Sequence, residues 1–328
     1  MARNPLISAA RLQLIEKRQL QPKWGPLYEP SMRATRDEAP TISRPSTLYS
    51  AKIGRELHLM SIPERQVGVL AMYHPRVFDI HEQHMLHPFA GPHPLAGRDD
   101  TRGFDLPSFR GTVDVADRLG KVSMHPTVWI TGPSASGYEG QQERAAFPYL
   151  GDFLIFQTDS KGPYCVNWSV KKSPGDFSNL SAAALLNPAA AKQKMGNAEL
   201  RHRLEEIYFD DAGIKTHRIA ASEIDTQVSA NLTALIGRAS APSLITADTA
   251  QHILQRFQNA LGTATALSLL ASMMHDFGCT RADCLTVFYR SIWERHLRVD
   301  LYRPIVVDKV MRPERSDVLL DYATWFAR

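Results

Sequence analysis

Glu64, Asp152 and Lys171 are the residues of this sequence whose chemistry fits together best. Glu64 stands three residues after Ser61 at the head of an apolar-periodic run, Asp152 belongs to GDFLIF, and Lys171 to NWSVKK. Two carboxylates and an ammonium suit cleavage of a phosphodiester. A hard divalent cation on oxygen ligands neutralises the phosphate and lowers the pKa of the attacking water, while a lysine stabilises the developing charge and orients that water. Asp152 suits the cation, and Glu64 either completes its coordination or holds a second one. Each residue also has a plainer reading. Glu64 sits where a capping box wants a glutamate, Asp152 where a turn residue stands at the start of a strand, and Lys171-Lys172 where a solvated strand ends.

The elements that must position them can be read locally. FPYLGDFLIFQ and YCVNWSVKK are two apolar runs about the polar connection TDSKGP, the pattern of a β-hairpin. With the turn centred near Ser160 and Lys161, Asp152 and Lys171 become near cross-strand partners at the open end. The period of two puts Cys165, Asn167, Ser169 and Lys171 on one face and Val166, Trp168 and Val170 on the other. Ser61 is the N-cap of a short helix through Val67, Leu70 and Ala71 that His74-Pro75 ends. Arg76 to Gln83 alternates as a strand, a loop follows from His84 to about Arg102, and Val128 to Thr131 is a further short strand. The polar segment 132–142 is a loop. After an Ala-rich stretch to about Met195, a helix from about Asn197 to Asp211 carries Leu200, Leu204 and Ile207 on one face, and Ile214 to Ala220 is a return strand.

Composition narrows the class. At 328 residues, 44% hydrophobic and 22% charged, the chain exceeds one ordinary domain and is neither disordered, collagenous nor a coiled coil. No run of roughly 18 apolar residues occurs and the N-terminus lacks a cleavable apolar core, so a cytoplasmic, non-membrane protein is expected. Cys165, Cys279 and Cys284 have no CxxC spacing and are read as reduced thiols. Several motifs are decoys. His81, His84, His87 and His93 cluster, but HEQHMLHP is not HExxH and reads as loop histidines. GPSASG has neither the lysine of a phosphate-binding loop nor the spacing of a nucleophile elbow.

Four segments are expected: an arm over 1–55, an α/β domain over 56–225, a helix and linker over 226–241, and a helix-rich domain over 242–328. The net charge of +4 is concentrated in the arm, whose ten Lys and Arg against four Asp and Glu leave an excess of +6. Its prolines make it an extended basic arm after one short helix, either a solvated tail or a contact for DNA. In the last segment, Thr263 to His275 and Arg281 to His296 resemble a helix-turn-helix, with Thr280 and Asp283 as a capping box. LRVDLYRPIVVDKV reads as a wing hairpin. Arg281, Arg290, Arg295, Arg298 and Arg303 are DNA-backbone candidates, although Asp283, Glu294 and Asp300 interleave with them, as on a solvated or protein-docking face.

The segment ERQVGVLAMYHPRVFDIHEQ resembles the acidic helix and Glu-Gln-ended strand of the TnsA endonuclease subunits of Tn-seven-like heteromeric transposases, in which nineteen residues likewise separate the helix glutamate from the closing glutamine. GDFLIF and NWSVKK are similar to that family's strand aspartate and its glutamine-x-lysine element. The likeness covers about residues 50–225, and the rest by architecture alone. It implies an α/β, restriction-endonuclease-like mixed sheet flanked by helices, followed by a helical winged-helix-like C-terminal domain. Glu64, Asp152 and Lys171 match the family's catalytic residues. Glu64, Asp152 and Ser169 would stand at the metal, Ser169 replacing the usual glutamine, with water or a backbone carbonyl as the alternative donor. The implied activity is Mg²⁺-dependent hydrolysis at the 5′ ends of a transposon, Mn²⁺ substituting. The implied partners are transposon-end DNA, the transposase subunit that cuts and joins the 3′ ends, and an ATPase regulator, in a bacterial, nucleoid-associated setting. Two alternatives stand beside it: a stand-alone restriction or repair nuclease, and a non-catalytic DNA-binding or assembly subunit.

Overall fold

The computed structural model describes residues 6–41, 43–131, 142–178 and 188–328. In chain order the elements are α1 (Ala9–Gln19), β1 (Ser46–Ser50), β2 (Arg55–Leu59), α2 (Ile62–Tyr73), β3 (Val77–Leu86), α3 (Thr112–Arg118), β4 (Thr127–Thr131), β5 (Gln142–Ala146), β6 (Tyr149–Asp159), β7 (Gly162–Lys171), α4 (Pro188–Asp210), β8 (Thr216–Ala220), α5 (Thr226–Ala239), α6 (Ala247–Asn259), α7 (Ala266–Phe277), α8 (Arg281–Trp293) and α9 (Val318–Asp321). They fall into two units. One is Met1–Arg65 with Arg76–Ala221 and Trp325–Arg328; the other is Gln66–Pro75 with Ser222–Thr324. Unlike the consecutive segments expected, each unit takes in a piece from the other's stretch of chain.

The first unit is α/β, a mixed sheet flanked by helices. Its four-stranded sheet runs β3-β6-β7-β8, with β3, β6 and β7 antiparallel and β8 parallel to β7. The parallel step requires a crossover, and α4 supplies it. Strand alternation explains the layering. Cys165 joins Leu154, Phe156, Leu204, Tyr208 and Phe209 in a core between sheet and helix. Trp168, fully buried on the other face, packs its ring 4.9 Å from Phe326 and donates from Nε1 to the Trp325 carbonyl at 2.6 Å. The face assignment read from the period of two is therefore met, and the turn lies at Ser160 and Lys161 as expected.

Several local expectations change. β3 runs to Leu86, so His84 is a strand residue paired with Gly151 and not the start of a loop. Its ring fits because position 151 has no side chain: a Cβ there would stand 2.3 Å from His84 Cε1 and Nε2. α4 starts at Pro188, earlier than Asn197, a proline being tolerated in a first turn whose N–H groups have no intrahelical partner. β5 pairs with β4 in a ribbon that the sequence reading did not include, while most of the polar loop, 132–141, lies outside the described residues.

The basic arm is also not a free arm. Ile15 and Leu12 of α1 are core residues, and Arg11 and Arg18, both buried, pair with Glu38 at 3.1 and 2.7 Å. Lys23 and Arg33 pair with Glu29. Five of its ten cations, Arg55 with Glu82 among them, are held in ion pairs within the unit, so the segment is anchored and is not a solvated basic tail.

The second unit is helical, with α8 packed against α5, α6 and α7. Thr280 and Asp283 form the expected capping box, and Gly278 ends α7 in the left-handed conformation, which glycine adopts at no steric cost. The expected wing hairpin is absent among the described residues. The runs after α8 make only isolated bridges, Val299 to Pro313 and Thr265 to Val310, because the carbonyls of Leu301 and Arg303 are taken by the Asn231 side chain. Residues 226–241, expected as helix and linker, are α5 and its following turn, with Leu232, Leu235 and Ile236 in the core. No helix of the described residues is long and apolar enough to cross a membrane.

Gly151→Ala is expected to lower stability by about 1–3 kcal/mol, since the added methyl must displace the His84 ring from a filled site. An unchanged urea midpoint would show that the ring has room to move.

Candidate functional site

The site lies where β6 and β7 part. Their ladder is regular from Asp159 and Gly162 to Phe153 and Trp168. Beyond that pair β6 stays with β3 while β7 stays with β8. The backbone N–H of Val170 then has no strand acceptor on β6, and Asp152 Oδ2 accepts it at 2.7 Å. This fork corrects the simple register. Continuing the ladder would set Asp152 opposite Ser169, so Asp152 and Lys171 are not direct cross-strand partners; the carboxylate reaches β7 by its side chain instead.

Glu64 enters from the first turn of α2. Its backbone N–H donates to Ser61 Oγ at 3.2 Å, and its Oε1 accepts from the same hydroxyl at 2.8 Å, so the expected capping residues do meet. The carboxylate is nevertheless buried, and Oε2 accepts from the Met60 N–H at 2.9 Å and from Gln83 Nε2 at 3.0 Å. Gln83, nineteen residues on, adopts φ of +47°, a left-handed backbone that non-glycine residues rarely take and that marks functional sites more often than ordinary strands. Glu64 thus caps α2 and ties it to β3 while remaining a buried carboxyl.

Electrostatics tie the three residues together. Burial chiefly, and then the Asp152 charge, push the Glu64 carboxyl up to about 7, while the Lys171 ammonium pulls it back. Lys171, half-buried, stands 6.0 Å from the centre of the Phe177 ring. Two further groups join from α4, and the sequence reading missed both. Glu205, buried, accepts from Asn167 Nδ2 at 2.8 Å; burial and then the Asp152 charge raise its pKa. His202, buried and 5.3 Å from Phe177 by ring centres, is lowered to about 4 by burial, with the Lys171 charge acting in the same direction. A signal existed: His202, Glu205 and Phe209 recur at helical spacing, a second stripe beside the apolar one. Ser169 is buried on the strand face that carries Asn167 and Lys171.

The donor set can be tested against a divalent cation. Among the described residues no three His, Cys, Asp or Glu side chains stand close enough to form a metal cage. Mg²⁺ does not require one, since it keeps several waters and takes one or two carboxylates together with substrate phosphate oxygens. Asp152 and Glu64 offer oxygen donors of like charge, Glu64 keeping its proton toward neutrality through burial and the Asp152 charge, which Lys171 offsets only in part. The residues fit Mg²⁺ of that kind.

The arginines of the second unit divide. Arg290 donates to the carbonyls of Ala239 and Ala241, ending α5. Arg295 and Arg298 both pair with Asp317, and Arg298 also with Glu314. Arg281 and Arg303 are exposed. Of the His cluster, His84 is a buried and His81 a partly buried strand residue while His87 and His93 follow in the loop, and all four line one cavity of the first unit.

A scan against protein-family models finds no match to this chain, and a search of curated proteins finds none.

The raised Glu64 sets a pH dependence. An unfolded chain releases the proton near 4.5 and the folded one near 7, so stability contributed by the bound proton is present below about 4.5 and lost as pH rises through about 7. Glu64→Gln is therefore expected to melt at a higher temperature than the parent at pH 8 without metal, and to lose that advantage toward pH 4. A pH-independent difference between the two melting temperatures would contradict the raised carboxyl.

Proposed function

We infer that this chain is a metal-dependent DNA endonuclease of the TnsA type, hydrolysing a phosphodiester at the 5′ ends of a transposon beside a separate transposase subunit. The observation that supports this reading is that the charges of Asp152, at the β6–β7 fork, and Lys171 both act on the buried Glu64 carboxyl, to which Gln83 is hydrogen-bonded. On this reading the first unit is a restriction-endonuclease-like domain and the second a winged-helix-like one whose wing is reduced to isolated bridges. Mg²⁺, when bound, would neutralise the phosphate and make the attacking water more acidic.

The chain's own residues then have distinct tasks. Asp152 is held rigidly, because Oδ2 is anchored on the Val170 N–H while Oδ1 is left for a ligand. Glu64, balanced near neutrality, can take a proton from water or present a second carboxylate oxygen. The Lys171 ammonium meets a non-bridging phosphate oxygen and opposes the charge that builds there. Glu205 holds Asn167 and so braces β7 beneath the lysine. Of the arginines, Arg281 and Arg303 remain as DNA-backbone contacts, the other three being engaged with acids or carbonyls of their own unit. Transposon-end DNA, the 3′-end transposase and an ATPase regulator are the partners this reading requires.

Asp152→Ala and Lys171→Ala are each expected to reduce Mg²⁺-dependent 5′-strand cleavage by about 100-fold or more in reactions containing the transposase and transposon ends. Cleavage at the parent rate by either folded variant would reject the assignment. Calorimetry adds a second arm: Mn²⁺ binding by the parent is expected to disappear in Asp152→Ala. Cleavage by the chain alone, without a transposase, would favour a stand-alone nuclease on the same site.

A further inference from the structure

Within the second unit, two of the three free cysteines meet where α7 turns into α8: Cys279 Sγ stands 3.3 Å from Cys284 Sγ. We propose that Cys279 and Cys284 are a redox-active dithiol, a site at which a hydroperoxide converts the pair into an intramolecular disulfide. Cys279 reacts first and Cys284 closes the bond. The proposal is independent of the nuclease reading.

The start of α8 sets the geometry. Thr280 is its N-cap, so Cys279 is the residue before the cap and Cys284 the fourth residue of the helix. These are the two positions whose side chains meet across a helix entrance, where apolar residues ordinarily pack as a staple. The backbone that fixes their approach is fully bonded. Thr280 and Asp283 cap each other, the Cys284 N–H donates to the Thr280 carbonyl at 3.2 Å, and Gly278 holds the left-handed turn out of α7. Two sulfurs held there need only close from 3.3 Å to the roughly 2.05 Å of a disulfide bond. Apolar side chains would serve packing alone, whereas a pair of thiols adds a reaction. No third ligand among the described residues joins the two sulfurs in a metal-binding group.

Accessibility sets the order of events. Cys279 is 8% exposed and Cys284 0%, so a small oxidant meets Cys279 first. Burial chiefly, and then the Cys279 sulfur and the Asp283 charge, push the Cys284 thiol up to about 12, which suits it to the second step and not the first. The Cys279 thiolate attacks one oxygen of hydrogen peroxide, the O–O bond breaks, and the hydroxide that leaves with the electron pair takes up a proton. Cys279 is then a sulfenic acid. The Cys284 sulfur attacks Cys279 Sγ, the S–O bond breaks, and the departing hydroxide takes the Cys284 proton as water. Two thiols have lost two electrons and two protons, and the peroxide has become two waters. A resolving sulfur at 3.3 Å makes the disulfide, and not a higher oxide of Cys279, the expected product. Cys165 is the internal control, since it lies in the core of the first unit among Leu154, Phe156 and Tyr208, where burial raises its thiol.

Hydrogen peroxide is the probe, applied to the full chain in its folded state and followed by thiol titration and peptide mapping. Two of the three thiols are expected to disappear at least about tenfold faster than Cys165 reacts, with one cross-link joining Cys279 to Cys284. Dithiothreitol is expected to restore both. Cys284→Ala, which lacks the resolving sulfur, should instead hold Cys279 as a sulfenic acid that dimedone labels, and Cys279→Ser should leave Cys284 unlabelled. The peptide map of the parent chain needs no substitution, so the test survives a variant that does not fold. Persistence of all three thiols, oxidation of Cys279 to a sulfinic acid without a cross-link, or a disulfide that uses Cys165 or joins two chains would each overturn the proposal.

Discussion

The left-handed backbone at Gln83 is the constraint on which the first unit turns. In a regular strand Glu82 and His84 would share one face and Gln83 would take the other. With φ of +47° at Gln83, three consecutive buried polar side chains instead serve three separate networks. Glu82 pairs with Arg55 at 2.8 Å and accepts from the His58 N–H, tying β3 to β2. Gln83 reaches Glu64 on α2. His84 lies over Gly151 beside the aromatic cavity. A rarely populated backbone conformation costs of order 1–3 kcal/mol and persists only where its surroundings over-determine it. Here they do: the Gln83 carbonyl accepts from the Ser31 N–H, and the Met85 N–H donates to Gln19, so the arm clamps both sides of the kink.

That clamp gives the N-terminal segment a role different from the one its charge implied. Four of its cations, Arg11, Arg18, Lys23 and Arg33, hold the segment to itself through Glu38 and Glu29, and Gln19, Tyr28 and Ser31 meet β3. Salt bridges of this kind contribute little net stability when exposed, and more through geometry when partly buried, as Arg11 and Arg18 are. The arm is thus better understood as a brace for the strand that orients Glu64 than as a tail searching for a polyanion.

What could be read in advance follows a physical division. The Ser61 hydroxyl cap on Glu64, the turn at Ser160 and Lys161, the alternation of β7 and the capping box at Thr280 and Asp283 all depend on residues within one helical turn or one hairpin, and each was legible. The fork at Asp152 was not, because it arises where β6 and β7 choose different neighbours, β3 and β8, and neither choice is written in the hairpin itself. Glu205 and His202 were missed for a related reason: only the packed crossover brings α4 back over the face of Asn167 and Lys171. The runs about Pro304 had strand composition, yet Asn231, some seventy residues earlier, takes their carbonyls. Local pattern gives the side chains a direction; distant partners decide what they meet.

Burial and repulsion at the fork act in the same direction, both disfavouring the charged forms of Glu64 and Glu205. The Asp152 charge raises both Glu64 and Glu205, and Lys171 offsets only part of it. A core optimised for stability would replace such a group by apolar side chains, since buried charge is costly unless fully paired. Elsewhere the same fold pairs its buried charges: Arg55 and Glu82 answer each other within two hydrogen bonds. The contrast between a closed ion pair on one side of β3 and an excess of carboxylate on the other separates a structural network from one that is short of a cation. On the nuclease reading proposed above, that shortage would make the fork, and not the larger count of basic residues in the arm, the place for a cation.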